Sequence, residues 1–476
     1  MANEYDLVIL GGGTGGYVAA IRAAQLGLKT AIVEKGKLGG TCLHKGCIPS
    51  KALLRSAEVY STAKHHAADF GVNTGEVTLD FSRVQERKSS IVSQLHQGVQ
   101  GLMKKGKIDV FEGTGRMLGP SIFSPSPGGT VSVEMNNGEE NQMLIPKNVV
   151  IATGSRPRSL PGLTIDGTTV MTSDEALEMT ELPKSMIIVG GGVIGIEWAS
   201  MLNDFGVEVT VIEYADRIIP TEDADISKEM QKLLSKKGIT FATSAKVDAE
   251  TLKIAEGSVM ISAEIKGEMK EFTAEKMLVS VGRQANVEGI GIENTDIQVE
   301  KGFIQVSETF QTKESHIYAI GDVIGGLQLA HVASHEGITA IEHIAGQEVH
   351  AINYDHVSRC IYSSPEASSV GITEQQAKDK GLNVKVGKFS FKAIGKALVY
   401  GESDGFVKIV ADKDSNDILG VHMIGPHVTD MISEAGLAMV LDATPWEVAN
   451  TIHPHPTLSE VMGEAALAVD GKAIHM

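Results

Sequence analysis

Cys42 and Cys47 stand in Gly39-Gly40-Thr41-Cys42-Leu43-His44-Lys45-Gly46-Cys47-Ile48-Pro49-Ser50-Lys51, in a chain with only one other cysteine. So close a pair points to dithiol redox chemistry. On a regular α-helix the two Cα atoms would lie roughly 8.7 Å apart, beyond the roughly 7 Å that a disulfide can span. A bridge therefore requires a bent or irregular segment. Gly39, Gly40 and Gly46 supply the backbone freedom, and Pro49 suits the first turn of a helix starting near Cys47. The N-terminus of that helix would favour a thiolate at Cys47. The third cysteine, Cys360, has no partner at useful spacing and reads as a small buried hydrophobe.

Positioning such a pair takes a scaffold, and the scaffold is written directly in front of it. An apolar strand over residues 5–10 runs into Gly11-x-Gly13-x-x-Gly16, then an Ala-rich helix from about Gly15 to Leu26, Gly27 as its stop, and a strand from Lys29 to Glu34. The same grammar returns at Met186 to Gly190, Gly190-x-Gly192-x-x-Gly195, a helix to Phe205, Gly206 and a strand ending at Glu213. Five positions repeat at a constant offset of 179 residues, which makes two related nucleotide-binding units the expectation. In each, the first glycine makes the tight turn, the second admits a pyrophosphate close to the backbone, and the third lets helix and strand pack. Glu34 and Glu213 would each bind a ribose 2′-hydroxyl. A 2′-phosphate at Glu213 would meet like charge, and Tyr214-Ala215-Asp216 intervene before Arg217, so NAD rather than NADP is predicted there.

Between the units, residues 80–106 read as a long helix and 108–151 as short strands with turns around Ser124 to Thr130. Ile151 to Ser155 marks a strand end and a domain crossing, and Ile317 to Asp322 an apolar strand ending on an acid of the kind that faces a ligand. Beyond about residue 347 come strands near 357–372 and 386–424, then helices near 427–442 and 457–468.

Composition bounds the function. With 42% hydrophobic and 21% charged residues over 476 positions, the chain reads as an ordinary globular protein of several domains. The net charge of −18 opposes nucleic acid and is compatible with a basic protein partner, though solubility alone accounts for it. No basic, apolar leader and no apolar run of about 18 residues is evident, and a close cysteine pair in a reducing compartment is catalytic rather than structural. The expected location is the cytoplasm.

Over its whole length the chain resembles the class I pyridine nucleotide-disulphide oxidoreductases. The resemblance rests on Gly40-Thr41-Cys42 through Cys47-Ile48-Pro49-Ser50-Lys51, on Ala152-Thr153-Gly154, on Gly321-Asp322, and on His453-Pro454-His455-Pro456-Thr457-Leu458-Ser459-Glu460. It is nearest to the branch that oxidises protein-bound dihydrolipoyl groups as the E3 component of 2-oxoacid dehydrogenase complexes. His44-Lys45, where many members carry Asn-Val, resembles a variant of the branched-chain complexes.

The resemblance implies an α/β fold of two Rossmann-like nucleotide-binding domains plus a C-terminal α+β dimerisation domain. Residues 1–150 and 276–346 would form the FAD-binding domain, 151–275 the NAD-binding domain, and 347–476 the interface of a homodimer. FAD would be held by Gly11, Gly13, Gly16, Glu34, Thr41, Lys51, Thr153, Gly154, Gly321, Asp322 and Ala330, and NAD by Gly190, Gly192, Gly195 and Glu213. Cys47 would lie beside the flavin, and Cys42 would exchange with substrate. Lys51 and Glu197 would pair near the flavin. His455, oriented by Glu460, would be the base that a dithiol substrate needs, with His453 the lesser candidate and the site shared between subunits. Lipoyl domains and the peripheral subunit-binding domain of an E2 acyltransferase would be the partners. No metal is expected, since no acid-cysteine set completes a shell around His453 and His455. The alternatives are another FAD-dependent disulfide or metal-ion reductase, or a noncatalytic scaffold.

Overall fold

The computed structural model describes residues 3–118 and 129–475, so the turns expected around Ser124 lie largely outside the described residues. The chain divides into two compact units. Unit 1 comprises residues 1–53, 82–158 and 283–352; unit 2 comprises 54–81, 159–282 and 353–476.

Unit 1 is built on strands β1 (Asn3–Leu10), β2 (Thr30–Glu34), β3 (Asp109–Met117), β4 (Val131–Met135) and β5 (Gln142–Ile151). β1 lies between β2 and β5, all parallel, with Leu10 opposite Val33 and Ile151; β3 extends the sheet beyond β2, and Ile317–Ala319 extends it beyond β5. β4 runs antiparallel to both β3 and β5. Because this sheet is covered on both faces, β1 is apolar at consecutive positions rather than alternately: Val8 and Leu10 enter one core cluster, and Leu7 and Ile9 the other.

The first fingerprint opens helix α1 (Thr14–Gln25), which packs against the helix Ala330–Ile344. Glycines permit the close crossing: a Cβ on Gly15 would stand 3.1 Å from the Ala333 carbonyl oxygen, and one on Gly337 would stand 3.0 Å from the Gly15 oxygen. Arg22 and Glu342 pair at 2.6 Å further along. After β2 come α2 (Gly40–His44), α3 (Cys47–Ser61) and the long α4 (Phe81–Lys105).

In unit 2 a parallel sheet runs in the order Thr240–Ala242, Glu208–Ile212, Ser185–Val189, Lys276–Val279, Val170–Met171, with the three-stranded antiparallel meander 245–274 beside it. The second fingerprint joins Ser185–Val189 to the helix Val193–Asp204. The C-terminal part is a five-stranded antiparallel sheet, Arg359–Ile361, Glu366–Gly371, Ile418–Gly425, Phe406–Asp412 and Val384–Ser390, packed against the helices Val428–Val440 and Glu460–Val469. Lys408 of this sheet, 3% exposed, pairs with Asp223 at 2.9 Å, Asp225 at 3.1 Å and Glu374 at 2.7 Å.

Candidate active site

The break that the cysteine spacing demands occurs between the two cysteines. α2 carries Cys42 and ends at His44, Lys45 leaves helical geometry with φ −137° and ψ 17°, and α3 starts at Cys47. Gly46 fits where a Cβ would lie 3.2 Å from the Thr41 carbonyl oxygen. A hydrogen bond with Cys47, together with burial, pushes the Cys42 thiol well above the ordinary range; Thr14, the first residue of α1, and the positive charge of Lys51 act in the opposite direction. The dithiol, the start of the fingerprint helix and Lys51 therefore form one electrostatic neighbourhood.

The segment leading to Cys42 is fastened to the phosphate-binding turn. Gly39 bridges Gly13, its N–H donates to the Gly12 carbonyl at 2.8 Å, and a Cβ on Gly40 would strike the Gly13 Cα at 2.6 Å. The turn itself excludes side chains: a Cβ on Gly11 would lie 2.2 Å from the Ala152 oxygen, and one on Gly16 would lie 1.9 Å from the Gly11 oxygen. Glu34 accepts from the N–H groups of Gly12 and Gly36, both at 2.6 Å. Gly13, the N-cap of α1, has no capping side chain, so the helix presents bare N–H groups as a phosphate site requires. These residues fit a dinucleotide.

Thr153, Gly154, Gly321, Asp322 and Ala330 all fall in unit 1. Thr153 donates to the Asn286 carbonyl at 2.7 Å, Gly154 takes φ +67°, and Gly321 donates to buried Glu336 at 2.7 Å. Asp322 accepts from the Ser155 hydroxyl, and Arg283 donates to that hydroxyl at 2.6 Å and lies 3.6 Å from Asp322. Sequence reading assigned neither Ser155 nor Arg283 to the site; Ser155 directly follows the Ala152-Thr153-Gly154 motif, a signal that could have found it, whereas Arg283 lies outside every motif.

In unit 2 the second fingerprint repeats the construction. Glu213 accepts from Gly191 at 2.5 Å and Ala215 at 2.6 Å, and a Cβ on Gly195 would lie 1.9 Å from the Gly190 oxygen. A Cβ on Gly192 would meet no atom within 4 Å. Glu197 is buried on the following helix and accepts from the Tyr362 N–H at 3.0 Å. The two histidines differ sharply. His455 Nδ1 lies 2.8 Å from Glu460 with the ring 77% exposed, whereas His453 is 9% exposed and bonded to Glu434 at 2.7 Å. Although burial acts to raise it, the Glu460 carboxyl is held below its ordinary value by His455 and the Thr457 N–H. Among the described residues no group of histidine, cysteine and acidic side chains could hold a metal ion, and no helix is long and apolar enough to cross a membrane.

Two nucleotide turns, one of them bearing a dithiol, define a class, and family comparison agrees: residues 5–337 match the pyridine nucleotide-disulphide oxidoreductase model and residues 357–466 the dimerisation domain of the same family. The chain belongs to this family. It is 74% identical over 475 residues, the whole of both chains, to dihydrolipoyl dehydrogenase of Bacillus subtilis (strain 168). It is 43% identical over 479 residues, again the full length of both, to the dihydrolipoyl dehydrogenase of Zymomonas mobilis. Among solved structures, LpdA from Mycobacterium tuberculosis superposes with a TM-score of 0.88 at 25% identity, covering 98% of this chain and 99% of that one.

Proposed function

We propose that this chain oxidises protein-bound dihydrolipoyl groups to lipoyl groups and reduces NAD to NADH, with FAD held at the first fingerprint and NAD at the second. The observation that carries this reading is the dithiol segment fastened through Gly39 to the Gly13 turn, which ties sulfur chemistry to one nucleotide site. Identity of 74% to a dihydrolipoyl dehydrogenase supports the substrate.

With FAD gripped by Gly11, Gly13, Gly16, Glu34, Thr41, Lys51, Thr153, Gly154, Gly321, Asp322 and Ala330, the flavin would supply the two-electron relay between dithiol and pyridine nucleotide. Cys42 forms the mixed disulfide with substrate as Cys47 leaves as thiolate; the second substrate thiol then displaces Cys42, so one disulfide is made and one broken. His455 takes the substrate proton at Nε2, because its Nδ1 is committed to Glu460. Lys51 and Glu197 would each serve the flavin when it is bound, as the family resemblance implies.

Residues 347–476 act as the interface of a homodimer in which His455 serves the partner subunit's dithiol. Exposed Val440, Leu441, Trp446 and Ile452 support an apolar contact face there. The net charge of −18 suits the basic subunit-binding domain of an E2 acyltransferase, whose lipoyl domains carry the substrate. The test is an NADH-linked lipoamide assay on the purified yellow protein, with Cys42→Ser alongside. Turnover in the unaltered protein, lost in the variant while NADH still bleaches the flavin, is expected. Full lipoamide activity without Cys42 would refute the assignment.

A further inference from the structure

His44, between the two cysteines of the dithiol segment, has a partner that lies far away in sequence. His44 Nε2 lies 2.9 Å from the Leu38 carbonyl oxygen, and His96 Nδ1, reaching in from α4, lies 3.0 Å from the same oxygen. The rings meet edge to face with centroids 5.1 Å apart. A carbonyl oxygen has two lone pairs and no proton, so both imidazoles must be donors, His44 through Nε2 and His96 through Nδ1. Burial, with the neighbouring His96 and Lys37, lowers the His44 pKa against the pull of the Leu38 carbonyl and Glu34, which favours the neutral ring.

Leu38 is the hinge of the dithiol segment. It immediately precedes Gly39 and Gly40, which take φ of +105° and +55°, and Cys42 follows two residues later. Such a glycine pair is free to swing unless something holds its ends. The peptide unit ahead of that pair is held at both edges: its N–H, on Gly39, donates to the Gly12 carbonyl of the nucleotide turn at 2.8 Å, and its carbonyl, on Leu38, accepts from the two imidazoles. His44 moreover closes α2, the short helix that carries Cys42, so its bond ties both ends of that segment together.

We infer that His44 and His96 are positioning residues for the dithiol, fastening the Leu38 carbonyl between them and so setting how readily the Cys42–Cys47 disulfide closes. The role of Cys42 in turnover rests on the proposed function, but the closing equilibrium does not. In that equilibrium the protein dithiol reduces oxidised dithiothreitol, giving the protein disulfide and reduced dithiothreitol. Loosening the segment lowers the effective concentration of one sulfur at the other.

The experiment equilibrates the holoprotein in dithiothreitol redox buffers and counts alkylated Cys42 and Cys47 by mass spectrometry. Combined His44→Leu and His96→Leu should lower the closing constant by at least about five-fold, and His96→Leu alone, which leaves one donor, by about two-fold. His44→Gln and His96→Asn place an amide N–H where Nε2 and Nδ1 stood and should restore the constant to that of the unaltered protein. A double leucine variant that closes as readily as the unaltered protein would overturn the inference, as would amide variants that lose as much as leucine. Absence of lipoamide turnover in the unaltered protein would instead count against the proposed function alone.

Discussion

At the first fingerprint Glu34 takes the N–H groups of Gly12 and Gly36; at the second, Glu213 takes those of Gly191 and Ala215, at nearly the same distances. The two turns then diverge. Beyond Glu34 the chain folds back over its own turn, Gly39 against Gly13 and Gly40 against the Gly13 Cα. Beyond Glu213 it passes through Tyr214, 76% exposed, and returns at Ile219, whose N–H donates to Gly191 at 2.7 Å as that of Gly39 does to Gly12, but nothing closes over the second glycine: a Cβ on Gly192 would meet no atom within 4 Å. A covered turn suits a cofactor that stays, and an uncovered one suits a cofactor that must come and go every cycle. The same motif is thus closed over or left open at its second glycine, according to the residues that follow its acid.

The hardest blow to the covered turn is Gly40→Ala. Its Cβ would sit 2.6 Å from the Gly13 Cα at φ +55°, and strain plus overpacking of about 4 kcal/mol implies roughly a thousandfold loss of flavin affinity. Protein that stays fully yellow through gel filtration would erase the distinction drawn above.

Next in size is Lys408→Met, aimed at the anchor of the loop after Glu213. It strands Asp223, 2% exposed, without its cation, so stability should fall by about 3 kcal/mol in denaturant titration. NAD KM should rise while flavin content holds. Lys408 also carries a pH signature, since Asp225 and Glu374 are held below their ordinary values. Burial opposes this at Asp225, where Lys408 and Lys388 together prevail; at Glu374, Lys378 acts together with Lys408. Depressed carboxyls stabilise the fold above their unfolded pKa, about 4. That contribution fades as pH falls below it, and the fade should be shallower in Lys408→Met.

Gly192→Ala is milder. The added methyl meets no protein atom within 4 Å, so melting temperature should hold while NAD KM rises about ten-fold, through the loss of close pyrophosphate approach. A KM unchanged by this substitution would show that the second turn does not touch the cofactor. Smallest is Glu213→Gln, which removes one negative charge near a 2′-phosphate and should narrow preference for NAD over NADP by about five-fold, measured as the ratio of kcat/KM.

Much of this contrast is legible in the sequence. Strand, glycines, helix and terminal acid are local features, and the observed helix Thr14–Gln25 lies one residue from the expectation. The break between Cys42 and Cys47 is legible for a different reason: a continuous helix cannot bring them together. Long-range company is not legible. Nothing in residues 54–81 tells that they pack with unit 2 rather than with the dithiol they follow, and nothing local joins His96 to His44 or Arg283 to Ser155. Those meetings depend on tertiary packing across dozens of residues, which periodicity does not encode.

The strand Ile317–Ala319, which pairs with β5 from far down the chain, also governs timing. A ribosome must release about two thirds of the polypeptide before the sheet beneath the first nucleotide turn has its outer strand, and Asp322 emerges later still. Coenzyme capture is therefore a late event in biogenesis, and nascent chains halted before Ala319 should remain colourless however long they wait.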